Sequence, residues 1–285
     1  MNSTATLSII TALTALAIGA LVQRHRFQSW LIAGETTLRQ ANRPNTSPVT
    51  LSTLPLLVQN YLRLAVKSPE RRYHHVEFRQ SGRFWLKAGG PGLPFTAKQV
   101  MAIGQPGYRW LAKIEMPPLH FVVCDRLIDG TGALQARLLG IVPLASGGDD
   151  LLRGELLRYL AEIPWAPTAI LQDAELRWRE INGRTVEVRR RVGEVDAGIE
   201  LHFNDDGLID RTWTKERVFN QSGHSRQVPW EGRFSNYAQH GDFFIPQHGE
   251  VSWLLESGPF TYFKGDITSY NVRSILDISN GMGLG

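Results

Sequence analysis

HVEFRQSGRFWLK, residues 75–87, alternates in character with a period of two. Val76, Phe78, Phe84 and Leu86 fall on one side of that period, and Glu77, Arg79, Arg83 and Lys87 on the other. An extended chain sends successive side chains to opposite faces, whereas a helix would scatter the same residues around its circumference. The segment reads as a long strand with one buried face.

Working outward, the same signal recurs at 95–103, 108–116, 120–128 and 133–142, with the turns AGGPGLP, GQPG, MPP and DGTG between the runs. Parallel strands need crossovers of a dozen or more residues, so turns this short imply an antiparallel meander. Further runs at 174–181, 185–192 and 199–203 lead to Asn204-Asp205-Asp206-Gly207, a hairpin signal completed by 208–218. Three more runs, at 232–237, 249–255 and 260–270, close the chain. Upstream, LSTLPLLVQNYLRLAV (51–66) places Leu56, Leu57, Tyr61 and Leu64 at helical spacing behind Pro55, which suits a first turn. The fold class expected is mainly β (α+β). It is a large curved antiparallel sheet, a half-barrel of roughly ten strands, with one or two helices on its concave face.

ATLSIITALTALAIGALV (5–22) is uncharged for 18 residues, or about 27 Å of helix, marginally enough to span a bilayer. No Lys or Arg precedes it and no small-x-small site closes it, which favours an uncleaved single-pass transmembrane helix over a signal peptide. Arg24, His25, Arg26, Arg39 and Arg43 follow, opposed by Glu35 alone, and place the C-terminal side in the cytoplasm by the positive-inside rule. The expected organisation is an anchor at 1–26, a linker at 27–50 containing RPNTSPVT, one domain at 51–272 and a flexible tail at 273–285. A hydrophobic content of 42% and a charged content of 20% are globular values. A net charge of +4 with scattered basic residues offers no face for nucleic acid. Cys124 is the one cysteine, which excludes an internal disulfide and a CxxC site.

RGELLRYLAEIPWAPTAIL (153–171) interrupts the meander with a helix. Leu152, Leu156, Leu160 and Ile163 form its apolar stripe, flanked by Glu155, Tyr159 and Glu162, and Arg158 can reach either glutamate. One reading is a solvated ion-pair chain. The other begins in TVEVRRRV (185–192), where Val186, Val188 and Val192 point inward and carry Arg190 with them. A buried guanidinium needs a partner, and Glu155 or Glu162 would serve, so Glu155, Arg158, Tyr159, Glu162 and Arg190 are candidates for docking the helix. As an acid/base pair the two glutamates sit about 10.5 Å apart along the axis, beyond the ~6.5–9.5 Å of inverting glycosidases. E-x6-E lacks the His of a di-metal helix, the histidines are dispersed, and no nucleophile elbow, phosphate loop or dinucleotide fingerprint is present. No catalytic residue, metal ligand or cofactor is assigned. PWEGRFSNY (229–237) and IPQHGEVSW (245–253) read either as bulges with tryptophan filling a curved sheet or as a pocket rim. In the second reading Trp165, Trp230, Trp253 and Phe260 are the walls, and Glu231, Arg233 and Glu250 the polar handles.

These two segments, with LPFTAKQV (93–100), QARLLGIVPL (135–144) and the 153–171 helix, resemble an uncharacterised bacterial family. It is a domain of unknown function, often with an N-terminal membrane segment and a basic patch like RHRFQ (24–28). The resemblance covers about 51–270 and carries no known chemistry. More loosely, the order of elements is similar to the outer-membrane lipoprotein carrier, a half-barrel whose hollow is plugged by helices and holds acyl chains. That likeness implies an exported domain, against the flanking charges, and no lipobox cysteine is present. The expectation is a membrane-tethered half-barrel that binds a lipid or other apolar molecule. The alternatives are an interaction module with a filled hollow and, third, a hydrolase using Glu155 and Glu162.

Overall fold

The computed structural model describes residues 3–40, 49–147, 151–221 and 224–274. Two helices come first, α1 (Ser3–Gln40) and α2 (Leu56–Ala65). The alternating segment is β1 (Tyr73–Phe84), followed by β2 (Leu93–Ala102), β3 (Tyr108–Met116), β4 (Leu119–Ile128), β5 (Thr131–Leu138) and β6 (Val142–Ser146). Then come α3 (Leu151–Ala161), a 3-10 turn at Ile163–Trp165 and α4 (Ala169–Gln172). The second half holds β7 (Arg177–Asn182), β8 (Thr185–Val192), β9 (Val195–Phe203) and β10 (Ile209–Thr214). After the small hairpin of β11 (Val218–Gln221) and β12 (His224–Gln227), it ends in β13 (Trp230–His240), β14 (Phe243–Leu255) and β15 (Gly258–Ser274).

Among the described residues thirteen strands form one antiparallel sheet, in the order β6-β5-β4-β3-β2-β1-β15-β14-β13-β10-β9-β8-β7. Each half is a meander built by short turns. The halves join where the first strand pairs with the last, from Phe84 opposite Phe263 to His75 opposite Arg273. In that seam Gly82 faces Gly265, and a Cβ on Gly82 would lie 2.0 Å from the Lys264 carbonyl oxygen. Backbone cannot yield as a flexible side chain can. Gly82→Ala is therefore expected to cost about 1–3 kcal/mol or more, read as a lower midpoint in urea unfolding. An unchanged midpoint would show that the seam has slack.

The strand count exceeds the roughly ten expected because one run is split by a turn and another, at 208–218, breaks after Thr214 before the hairpin of β11 and β12. Leu139 and Gly140, at φ 53° and 69°, divide the run expected at 133–142 into β5 and β6. The hairpin at Asn204 forms with its Oδ1 accepting from the Leu208 amide at 2.9 Å and Gly207 at φ 77°. The helix expected behind Pro55 is α2, but its buried face is Val58, Tyr61, Leu62 and Ala65, while Leu56 and Leu64 are exposed. Gln59, Asn60 and Arg63 share the polar side, and Val58, Tyr61, Leu62 and Ala65 repeat at i, i+3, i+4 and i+7 on the other, so periodicity sets the rotation and the expected stripe is turned away from it.

Strands β6 and β7 are the two edges of the sheet, so the chain between them has to cross it. That crossing is α3, the 3-10 turn and α4. Helix α3 contacts β4 and β5 near one edge and also β8 and β9 near the other. One helix about 10 Å across can touch both only if the sheet curls around it. Leu156, Leu157, Leu160, Ile163 and Ala166 are fully buried in the concave core.

Helix α1 lies on the opposite, convex face. Phe27 and Leu31 pack against Cys124, and Leu38 against Val100 and Ala102. Glu35 accepts from Lys98 at 2.9 Å, from Arg39 at 2.7 Å and from Arg109, and Arg39 reaches on to Glu77. Partial burial alone would raise the Glu35 carboxyl, but the hydrogen bonds from Lys98 and Arg39 and the charge of Arg109 pull it down to about 2. Residues 27–40, read as linker from composition, are therefore the docked half of a long helix.

The N-terminal expectation needs correction in one respect. The apolar run is helical, but among the described residues no helix is long and apolar enough to cross a membrane. Helix α1 runs directly from its apolar turns into Arg24, Arg26, Glu35 and Arg39, and its second half is committed to the sheet. RPNTSPVT, except for its last two residues, and the tail from 275 onward lie outside the described residues.

Candidate functional site

The concave face holds a cavity of about 610 Å³. Phe84 with the following Trp85 and Leu86, Trp110 and Ile114 of β3, Phe121 and Val123 of β4, and Leu134 and Ala136 of β5 line one side. Trp230 and Phe234 of β13, Val251 and Trp253 of β14, and Phe260, Tyr262 and Phe263 of β15 line the other. Ala161, Trp165, Arg158 and Glu162 close it from the α3 side. The Trp165 ring is fixed, with Nε1 donating to the Pro246 carbonyl at 3.0 Å and the ring seated over Gly249, where a Cβ would come within 2.9 Å. Cavities of about 300–1,000 Å³ with apolar walls and a few polar groups are what small-molecule sites look like.

The polar end is an ion cluster on α3. Arg158 Nε donates to Glu162 at 2.8 Å and Nη1 to Asp125 at 2.5 Å, with its guanidinium 5.0 Å from both the Tyr108 and Trp110 ring centres. Gln99 donates to Glu162, and the Tyr108 hydroxyl to Glu155. Each helix residue thus meets a strand of the first half. Burial, and then the charge of Asp125, push the Glu155 carboxyl well above its ordinary value of 4.5. Burial pulls the Arg158 guanidinium down, but Glu162, Tyr108 and Asp125 more than offset this and keep it charged.

A carboxyl whose folded value is raised holds its proton more tightly when folded, so its contribution is complete below 4.5 and is lost as pH rises through the folded value. Glu155→Gln, which cannot ionise, should flatten the alkaline fall of the melting temperature measured between about pH 5 and pH 9. A variant with the same alkaline slope as wild type would show that Glu155 is already ionised in the folded protein.

The expected residues are placed as follows. Trp165, Trp230, Glu250, Trp253 and Phe260 line the cavity, although Glu250 is tied to Lys264 at 2.8 Å and His248 at 3.3 Å. Glu231 and Arg233 do not line it. Trp230, Gly232 and Phe234 take the inward positions of β13, so the residues between them point outward, and Glu231 pairs with Arg211 and Arg233, each at 2.8 Å. Glu155, Arg158, Tyr159 and Glu162 are gathered where α3 meets the sheet. Arg190 is buried, but its partners are Asp173 at 2.9 Å and Glu175 at 2.5 Å instead of Glu155 or Glu162. As a pair for acid/base work, Glu155 and Glu162 are engaged separately, and of the two only Glu162 lines the cavity.

Sequence reasoning missed Gln99, Tyr108, Asp125 and Arg217. The first three sit in inward-facing sets, with Phe95, Ala97 and Met101, with Trp110 and Ala112, and with Phe121 and Val123. All three face inward by the same parity as Arg190. Arg217 lay inside the run expected at 208–218, but that strand ends at Thr214, and the parity of the run does not extend to it.

Several solved structures show a slight likeness to this chain. A LolA superfamily protein from Nitrosomonas europaea is 10% identical, with a TM-score of 0.38 over 80% of this chain and 95% of the other. A putative outer membrane lipoprotein-sorting protein domain from Vibrio parahaemolyticus is 8% identical, at 0.39 over 82% and 99%. A DUF1329 family protein from Desulfovibrio piger is 13% identical, at 0.37 over 80% and 93%. These likenesses are too slight to carry an argument about function. No curated protein matches the chain. Residues 45–265, most of the chain, match the model of a family of unknown function, DUF6544, and the protein belongs to that family.

Proposed function

We propose that the protein binds an apolar ligand, a lipid or acyl chain, in the concave cavity, with α3 as its fixed inner wall. The observation that carries this reading is the open volume of about 610 Å³ among aromatic and aliphatic side chains. Protein interiors close to crystal density, and a hollow of this size forfeits dispersion contacts along its whole lining. A ligand restores them, at about 0.8 kcal/mol for each methylene taken out of water. The interaction-module alternative calls for a hollow filled by the protein's own side chains, and the open volume speaks against it.

A second part of the proposal concerns α1. Its N-terminal half presents exposed Leu13, Leu16, Ile18 and Leu21. We infer that this half attaches the domain to a membrane, where the cavity would meet its ligand.

Native mass spectrometry of the full chain, followed by solvent extraction, tests the ligand reading. A lipid bound at near-stoichiometric mass is the expected result. A bare mass that does not shift on adding lipids would overturn it.

A further inference from the structure

We propose that Arg217 makes the cavity selective for an amphiphile with an anionic head group, a carboxylate or a phosphate. This rests on the apolar-ligand reading above. Arg217 stands just before β11, where the chain leaves the main sheet to form the separate hairpin. That departure brings Phe219 against Trp253, with ring centres 4.9 Å apart, and carries the Arg217 guanidinium over the Trp230 ring at 4.6 Å and near Trp253 at 5.9 Å. Both rings are cavity walls, and Arg217 lines the cavity with them.

Arg217 attracts Glu155 through space, but the Glu155 carboxyl is taken up by Tyr108. Among the described residues, Arg217 Nη1 is buried and has no hydrogen-bond partner. The other charged groups on the lining are engaged, Asp125 through one of its two oxygens. Arg158 is held by Asp125 and Glu162, and Glu250 by Lys264 and His248. The adjacent Glu216 turns away to Arg189 at 2.9 Å and Arg153 at 3.3 Å. Arg217 is half-buried, with one nitrogen closed to water and unpaired, and the planar fork of N–H donors it holds beside two indoles fits a carboxylate or a phosphate. The apolar walls beyond it suit the tail of the same molecule.

The test compares ligands of equal chain length on the full protein, freed of co-purified lipid. These are palmitate, hexadecyl phosphate and neutral hexadecanol, with affinities read from tryptophan fluorescence. Arg217→Gln should weaken the anionic ligand by about 10- to 100-fold and leave hexadecanol unchanged, which also reports that the cavity is folded. Arg217→Lys should retain most of the affinity. Whichever of palmitate and hexadecyl phosphate loses more identifies the head group. Equal losses for hexadecanol and the anions, or no loss for any, would overturn the head-group inference while the apolar-ligand reading stands. Failure of all three to bind the wild-type protein would overturn both.

Discussion

Arg158→Ala should destabilise the protein by about 3–5 kcal/mol, the cost of removing one member of a buried ion cluster and leaving its partners unpaired. The Arg158 side chain is 16% exposed and its partners Asp125 and Glu162 are each 10% exposed. Without the guanidinium, two carboxylates remain near one another in a site where Glu155 already cannot ionise readily. For a chain of this size the loss corresponds to roughly 10 °C in melting temperature, at about 2–4 °C per kcal/mol. The neutral set of Arg158→Met with Asp125→Asn and Glu162→Gln should recover most of it, because the penalty lies in unpaired charge more than in lost attraction. Thermal and urea unfolding followed by circular dichroism would measure both. A cost below about 1 kcal/mol for the alanine variant would mean that water reaches the cluster and that the leucines alone hold α3.

Ala136→Trp should abolish ligand binding without unfolding the protein. Ala136 of β5 lines the open volume, opposite Val123 in the β4–β5 pair. An indole there occupies space that is empty, so the overpacking penalty of a full core does not arise. Displacing four or five methylenes of a bound chain, at about 0.8 kcal/mol each, forfeits about 3–4 kcal/mol, or roughly 100- to 1,000-fold in affinity. Binding of palmitate, measured beside the melting curve, separates the cases. Intact folding with unchanged affinity would place the ligand elsewhere. A chain that no longer folds would show that the hollow closes in solution.

The sheet was largely legible before the structure because a strand's parity is local information. β1 announces its inward side through its own alternation, β2 and β4 are apolar on both sides where α1 covers them, and the glycine and proline turns between the strands require antiparallel neighbours. The apolar stripe of α3 was equally plain, with Leu156, Leu160 and Ile163 all fully buried. Parity also contained more than was drawn from it. It puts Trp230 inside and Glu231 outside within one strand, and it turns Gln99, Tyr108 and Asp125 toward the helix. The rotation of α2 was legible too, since Gln59, Asn60 and Arg63 leave the opposite side to Val58, Tyr61, Leu62 and Ala65.

What the sequence by itself determined was the mainly β class, the antiparallel order within each half and the helix between them, all properties of neighbours in the chain. The tertiary structure alone decided the pairing of β1 with β15, the docking of α1 on the convex face and the choice of Asp173 and Glu175 for Arg190. It also decided that the curled sheet and its crossing helix leave a hollow, with Arg217 carried over it by the hairpin. Periodicity reports which face of an element is buried, because burial repeats with the backbone. It does not report against what, because partners are chosen by shape, volume and charge between segments far apart in the chain, and an empty volume belongs to no residue.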